Sequence, residues 1–120
     1  MAVRVIRDET HFQGELTAAG NKLVVADFTA SWCGPCQRIA PAFSDMSVRY
    51  NKAVFLKIDV DNCSETAAAQ GVTAMPTFIF YRNKVKVDRL QGADPTALEN
   101  KIKQYYDAGD SAEEPSAPGM

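Results

Sequence analysis

Two cysteines separated by two residues, Cys33-Gly34-Pro35-Cys36, stand directly between an apolar run and a helical stretch. The start of a helix carries roughly half a positive charge and backbone N–H groups without helical partners. A cysteine placed there has its thiolate stabilised and its pKa lowered. The thiolate is the nucleophile of disulfide exchange. Cys33, at an expected exposed first turn, is therefore the attacking sulfur. Cys36, one turn further on and expected to be more deeply buried, resolves the mixed disulfide. A cation between the two cysteines would stabilise the reduced form and make the pair more oxidising. Gly34 and Pro35 supply no charge, which points to a reductant.

The flanking sequence alternates between the two periods that mark strands and helices. Residues 3–7 read as a short strand and Thr10 to Ala19 as a helix with Phe12 and Leu16 on one face. Residues 22–28 form an almost continuous apolar run, the pattern of a strand buried on both faces. A longer helix is expected over 34–50, with Ile39, Phe43, Met46 and Tyr50 on one stripe. A further strand follows at 53–59 and a short helix at 64–70, for which Gly71 suits the end. Residues 76–81 and 85–90 are two strands separated by about three residues, a hairpin spacing. Asp94-Pro95 opens the last helix, which buries Leu98, Ile102 and Tyr105. Strands alternating with helices imply parallel pairing through right-handed crossovers. The expected architecture is α/β, a mixed sheet with helices on both faces and an antiparallel hairpin at one edge.

The chain has 120 residues, 46% hydrophobic and 23% charged, with net charge −2, and suits one globular domain. Its charge is uneven. Residues 107–120 hold Asp107, Asp110, Glu113 and Glu114, no Lys or Arg, and almost nothing large and apolar. That stretch reads as a disordered acidic tail or linker. Residues 1–106 then form the folded unit, with 13 basic against 11 acidic residues, or +2. Neither this charge nor any apolar run argues for nucleic acid or a membrane span as partner. The first residues do not read as a secretory signal. The expected compartment is reducing, the cytoplasm and with it the nucleus, where cysteines stay free unless they have a task.

Residues 30–36 (Ala-Ser-Trp-Cys-Gly-Pro-Cys), Asp27 ahead of them, Met75-Pro76-Thr77 and Gln91-Gly92-Ala93 together resemble the thioredoxin family. The resemblance covers residues 1–106 and implies the thioredoxin fold, a central sheet of about five strands flanked by four helices. It also implies a protein-disulfide reductase that binds no cofactor and draws electrons from thioredoxin reductase and NADPH. Disulfide-containing proteins would be its substrates. By position, Asp27 matches the buried acid that serves as general base and acid for Cys36. An acid inside an apolar strand loses solvation and its pKa rises, which suits that task. Pro76 matches a cis-proline that lets Met75 pair with an extended substrate. Trp32, Gly34, Pro35, Met75, Gly92 and Ala93 match the apolar surface on which a partner rests.

Three stretches (38–44, 80–85 and 91–94) are more specifically similar to the thioredoxin-like protein 1 family. Those proteins join an N-terminal thioredoxin domain through an acidic linker to a second, proteasome-docking domain. The resemblance implies a fragment of a longer chain, and an alternative role as an interaction module. In the hairpin, Asn83 is followed by Lys84 where glycine is favoured. The turn must then be longer, or Lys84 must adopt a positive φ. Cys63, the third cysteine, is either a secondary redox thiol or a small residue that happens to be cysteine. The second reading is favoured for a lone thiol. Zinc would need four ligands, and three cysteines with His11 offer no second Cys-x-x-Cys. His11 reads as a surface residue, and the basic residues from Arg82 to Arg89 as a solvated face.

Overall fold

A computed structural model describes the backbone of residues 2–113 and the side chains of 2–106. The element order is β1 (Val3–Val5), α1 (Glu9–Ala19), β2 (Val24–Thr29), α2 (Gly34–Arg49), β3 (Val54–Asp59), α3 (Ser64–Ala69), β4 (Thr77–Arg82), β5 (Val85–Gln91) and α4 (Pro95–Glu113). The strands form one sheet in the order β1-β3-β2-β4-β5. β1 and β2 flank β3 in parallel, while β4 runs antiparallel to β2 and β5 to β4. This is the thioredoxin fold expected from the sequence, five strands and four helices. The acidic stretch begins inside α4, and residues 114–120 lie outside the described residues.

Alternation along the strands divides the core. Val24, Ala26 and Phe28 of β2 pack with Phe12 and Leu16 of α1 and Ala67 of α3. Val25, on the other face, packs with Ile39 and Phe43 of α2 and Leu98 and Ile102 of α4. All six residues of β2 are buried, as a central strand covered by helices on both faces must be. Asp27 falls on the Val25 face, the one that α2 covers.

Local chemistry sets the helix ends. The Asp8 carboxylate accepts from the His11 N–H at 2.8 Å and caps α1. Asp94 accepts from the N–H groups of Thr96 and Ala97 and caps α4. Gly71 follows α3 at φ +71°, the left-handed position that ends helices. α2 and α4 are tied by Glu99, which accepts from Arg49 at 2.6 Å and from the Tyr50 hydroxyl at 2.6 Å.

Three details differ from the sequence reading. The hairpin loop has two residues, not three: Arg82 pairs with Val85, and Asn83 and Lys84 take φ of 54° and 66°. The twist of the strands demands this turn, so Lys84 bears the positive φ. We expect Lys84→Gly to raise stability by about 1 kcal/mol, read as a Tm several degrees higher in thermal unfolding. His11 is not a free surface residue. Its Nδ1 accepts from the Arg7 N–H at 3.0 Å and its Nε2 lies 3.4 Å from Glu15. The basic residues of the hairpin are not merely solvated either. Lys86 and Arg89 donate to the Gln70 carbonyl, and Arg89 also donates to that of Gly71 at 2.8 Å. They brace the end of α3, from which the chain runs on to Met75.

A candidate dithiol–disulfide site

β2 ends at Thr29 and α2 starts at Gly34, so the intervening loop delivers Cys33 to the head of the helix. Cys33 is the N-cap of α2, with extended backbone, and its Sγ accepts from the Cys36 N–H at 3.2 Å. This is the contact by which a helix start stabilises a thiolate. Here the two cysteines form a disulfide with their Cα atoms 5.3 Å apart. Both are nearly enclosed. Cys33 is 5% exposed and Cys36 2%, so the expectation of an exposed first turn at Cys33 is corrected. Burial barely separates the two sulfurs. Position does, since the N-cap faces the unpaired N–H groups and Cys36 lies inside the helix. Ala30, Val60 and Met75 enclose the pair, because the loop folds back under α2 and Gln37 donates to the Ala30 carbonyl.

The Met75–Pro76 peptide is cis. The Met75 carbonyl oxygen lies 3.7 Å from Cys33 Sγ. The Pro76 carbonyl accepts from the Gly92 N–H at 3.0 Å, which joins the loop before β4 to the end of β5. Gly92 has φ +100°, a conformation that glycine alone adopts readily. The fold thus brings Met75 against the pair and draws Gly92 to the same loop. Trp32 is 66% exposed, although large aromatic side chains are mostly buried. Its indole Nε1 donates to Asp61 Oδ2 at 2.9 Å. In the sequence nothing marks Asp61, a loop acid 29 residues distant, as its partner.

Asp27 is 3% exposed and its Oδ1 has no hydrogen-bond partner. Burial lifts its pKa to about 7, against the lowering pull of the Lys57 ammonium. Lys57 is its register partner on β3, a relation that sequence spacing does not reveal. Asp27, Lys57, Thr29, Cys36, Ala40 and Phe43 line one pocket of about 200 Å³. That is room enough for water between the carboxyl and Cys36.

Cys63 lies elsewhere. Its thiol is buried in the α1–α3 half of the core and lies 3.5 Å from the Ile6 carbonyl, to which it donates. Burial, then the carboxylates of Asp59, Asp8 and Glu9, push its pKa up, which suppresses thiolate. Among the described residues no three His, Cys, Asp or Glu side chains are placed to hold a metal ion, and no helix is long and apolar enough to cross a membrane.

The family model described as Thioredoxin matches residues 3–104. The chain is 47% identical over 103 residues to a thioredoxin of Ophiophagus hannah, covering 86% of this chain and 98% of that protein. To a thioredoxin of Homo sapiens it is 45% identical over 102 residues, covering 85% and 97%. Among solved structures, a poplar wild-type thioredoxin h superposes with a TM-score of 0.86 at 38% identity, covering 89% of this chain and 98% of that one. Fasciola hepatica thioredoxin gives 0.83 at 39% identity, covering 84% and 97%.

Proposed function

The chain belongs to the thioredoxin family of thiol–disulfide oxidoreductases, and from that premise we propose that it works as a reductant of protein disulfides. The observation that carries this reading is the Cys33–Cys36 pair at the head of α2, with a Cys36 N–H directed at Cys33 Sγ. In the dithiol form the Cys33 thiolate attacks a substrate disulfide. A Cys33–substrate S–S bond forms and one substrate thiolate leaves. Asp27, ionised at that moment, takes the Cys36 proton through the shared pocket. Cys36 then attacks Cys33 Sγ, closing the Cys33–Cys36 disulfide and releasing the second substrate thiolate, which is protonated. Two electrons have passed to the substrate; its second thiolate receives the proton that Asp27 took from Cys36, and its first takes up from water the equivalent of the one Cys33 lost on ionising.

An acid with a pKa of about 7 suits this task, because at neutral pH it both accepts and returns a proton. Met75, held against Cys33 by the Pro76 loop, offers backbone to an extended substrate. Trp32, Gly34, Pro35, Gly92 and Ala93 supply the apolar contact around it. Cys63, buried and of raised pKa, serves packing. No bound cofactor is required for exchange between sulfurs. The oxidised pair is returned to the dithiol by thioredoxin reductase with NADPH, in the cytoplasm and nucleus. The test is insulin reduction with dithiothreitol as electron source. Precipitation of the insulin B chain should be accelerated by the wild-type protein, and a rate equal to dithiothreitol alone would refute the reading.

A second reading rests on the likeness of residues 38–44, 80–85 and 91–94 to thioredoxin-like protein 1. In it the thioredoxin unit, residues 1–106, is one part of a proteasome-associated protein, the acidic tail is a linker, and attachment is the main role. Cys33→Ser separates the two: it should end disulfide reduction and leave proteasome association of the full-length protein unchanged.

A further inference from the structure

The mechanism leaves unused a cation that stands beside the reacting pair. Helical side chains lean toward the helix N-terminus, over the turn before their own. Arg38 accordingly reaches back across one turn of α2 to Gly34, where an added Cβ would lie 3.5 Å from its Nη1. The residue is exposed, and among the described residues its side chain forms no hydrogen bond or ion pair. Of the other arginines, Arg4 pairs with Glu15, Arg49 with Asp45 and Glu99, and Arg82 and Arg89 with backbone carbonyls, while the Arg7 side chain, far along the chain from the cysteines, is like Arg38 without such a partner among the described residues. The guanidinium thus stands over Gly34 from the following turn, outside the Cys33–Cys36 segment itself. On the other side of Cys33 in sequence, the Trp32 indole occupies Asp61. The site therefore presents an apolar surface with one engaged carboxylate and one unengaged guanidinium.

A planar guanidinium matches a carboxylate fork, and covering it with a bound chain strengthens the pairing by removing water. We infer that Arg38 selects substrates, favouring protein disulfides with an aspartate or glutamate beside the attacked cysteine. The inference rests on the reductase reading above and adds to it a substrate class. Electron balance is unchanged. The substrate disulfide takes two electrons and two protons from the Cys33–Cys36 dithiol, and Arg38 exchanges neither.

The test uses three synthetic peptides, each with one disulfide, that differ only in whether Glu, Gln or Lys adjoins the half-cystine. Pre-reduced wild type, Arg38→Gln and Arg38→Glu are compared in single-turnover reduction. The wild type should reduce the Glu peptide about two- to fivefold faster than the Lys peptide at low salt, with the preference shrinking at high salt. The ratio should fall to about one in Arg38→Gln and invert in Arg38→Glu. An equal Glu-to-Lys ratio in all three proteins would overturn the inference. So would an equal rate change for every peptide with a shifted equilibrium against glutathione, since Arg38 would then tune the pair and not the substrate. A wild type that reduces none of the peptides overturns the reductase reading itself, and the inference with it.

Discussion

Cys36→Ser protein incubated with disulfide substrates should accumulate as a covalent adduct through Cys33, and Cys33→Ser protein should form none. Both variants should lose turnover down to the uncatalysed background, so activity alone cannot assign the roles. The adduct can. Cys33 is the N-cap of α2, and its Sγ receives the Cys36 N–H at 3.2 Å. A thiolate there is stabilised, and removing Cys36 leaves the attack intact while deleting the sulfur that would release the product. The two sulfurs are almost equally enclosed, so the assignment rests on helix position and not on burial. Non-reducing electrophoresis with mass spectrometry reads the result, and the trapped partners from cell extract name the substrates. Preferential trapping by Cys33→Ser would make Cys36 the attacker and overturn the assignment.

Asp27→Asn should stabilise the protein at and above neutral pH while slowing the release of the mixed disulfide. Burial raises the carboxyl to about 7, so the folded state holds this proton more tightly than the unfolded chain does. The contribution of Asp27 to stability is then greatest below the ordinary carboxylate range and declines as pH rises from there through about 7. Above that point the fold encloses a charge whose Oδ1 has no hydrogen bond. A carboxyl lifted from its ordinary range to about 7 corresponds to about 4 kcal/mol at most. The amide carries no charge, so its stability should lack this slope. Urea unfolding should show the two proteins nearly equal at acid pH and diverging up to that figure in alkali. Identical pH profiles would remove Asp27 from the proton-transfer role. The acid costs stability at neutral pH, and it lines the same pocket as Cys36.

Much of this was legible in local order. The apolar run that became β2 announced a strand covered on both faces, and such a strand needs helices above and below it. Asp94-Pro95, Gly71 and the Cys33 start marked element ends because capping is a matter of adjacent residues. The approach of Arg38 to Gly34 follows from helical spacing, since four residues along a helix is about one turn. The hairpin spacing predicts a loop of about three residues, and the loop has two. Asn83-Lys84 does not look like a tight turn, yet strand twist imposed positive φ on both residues and overrode the preference of lysine.

By itself the sequence determined the class of chemistry and the fold. A dithiol spaced by two residues at a helix head can do disulfide exchange wherever it is placed, and alternating strand and helix periods leave few ways to bury their apolar faces. Tertiary structure alone decided what surrounds that dithiol. Lys57 faces Asp27 through strand register, Met75 meets Cys33 across 42 residues, and Asp61 holds Trp32 across 29. Register and loop closure are products of global packing, in which residues far apart in the chain become neighbours because the sheet must close its core. No local pattern encodes those distances. They decide which carboxyl, which backbone carbonyl and which loop side chains stand around the pair of cysteines.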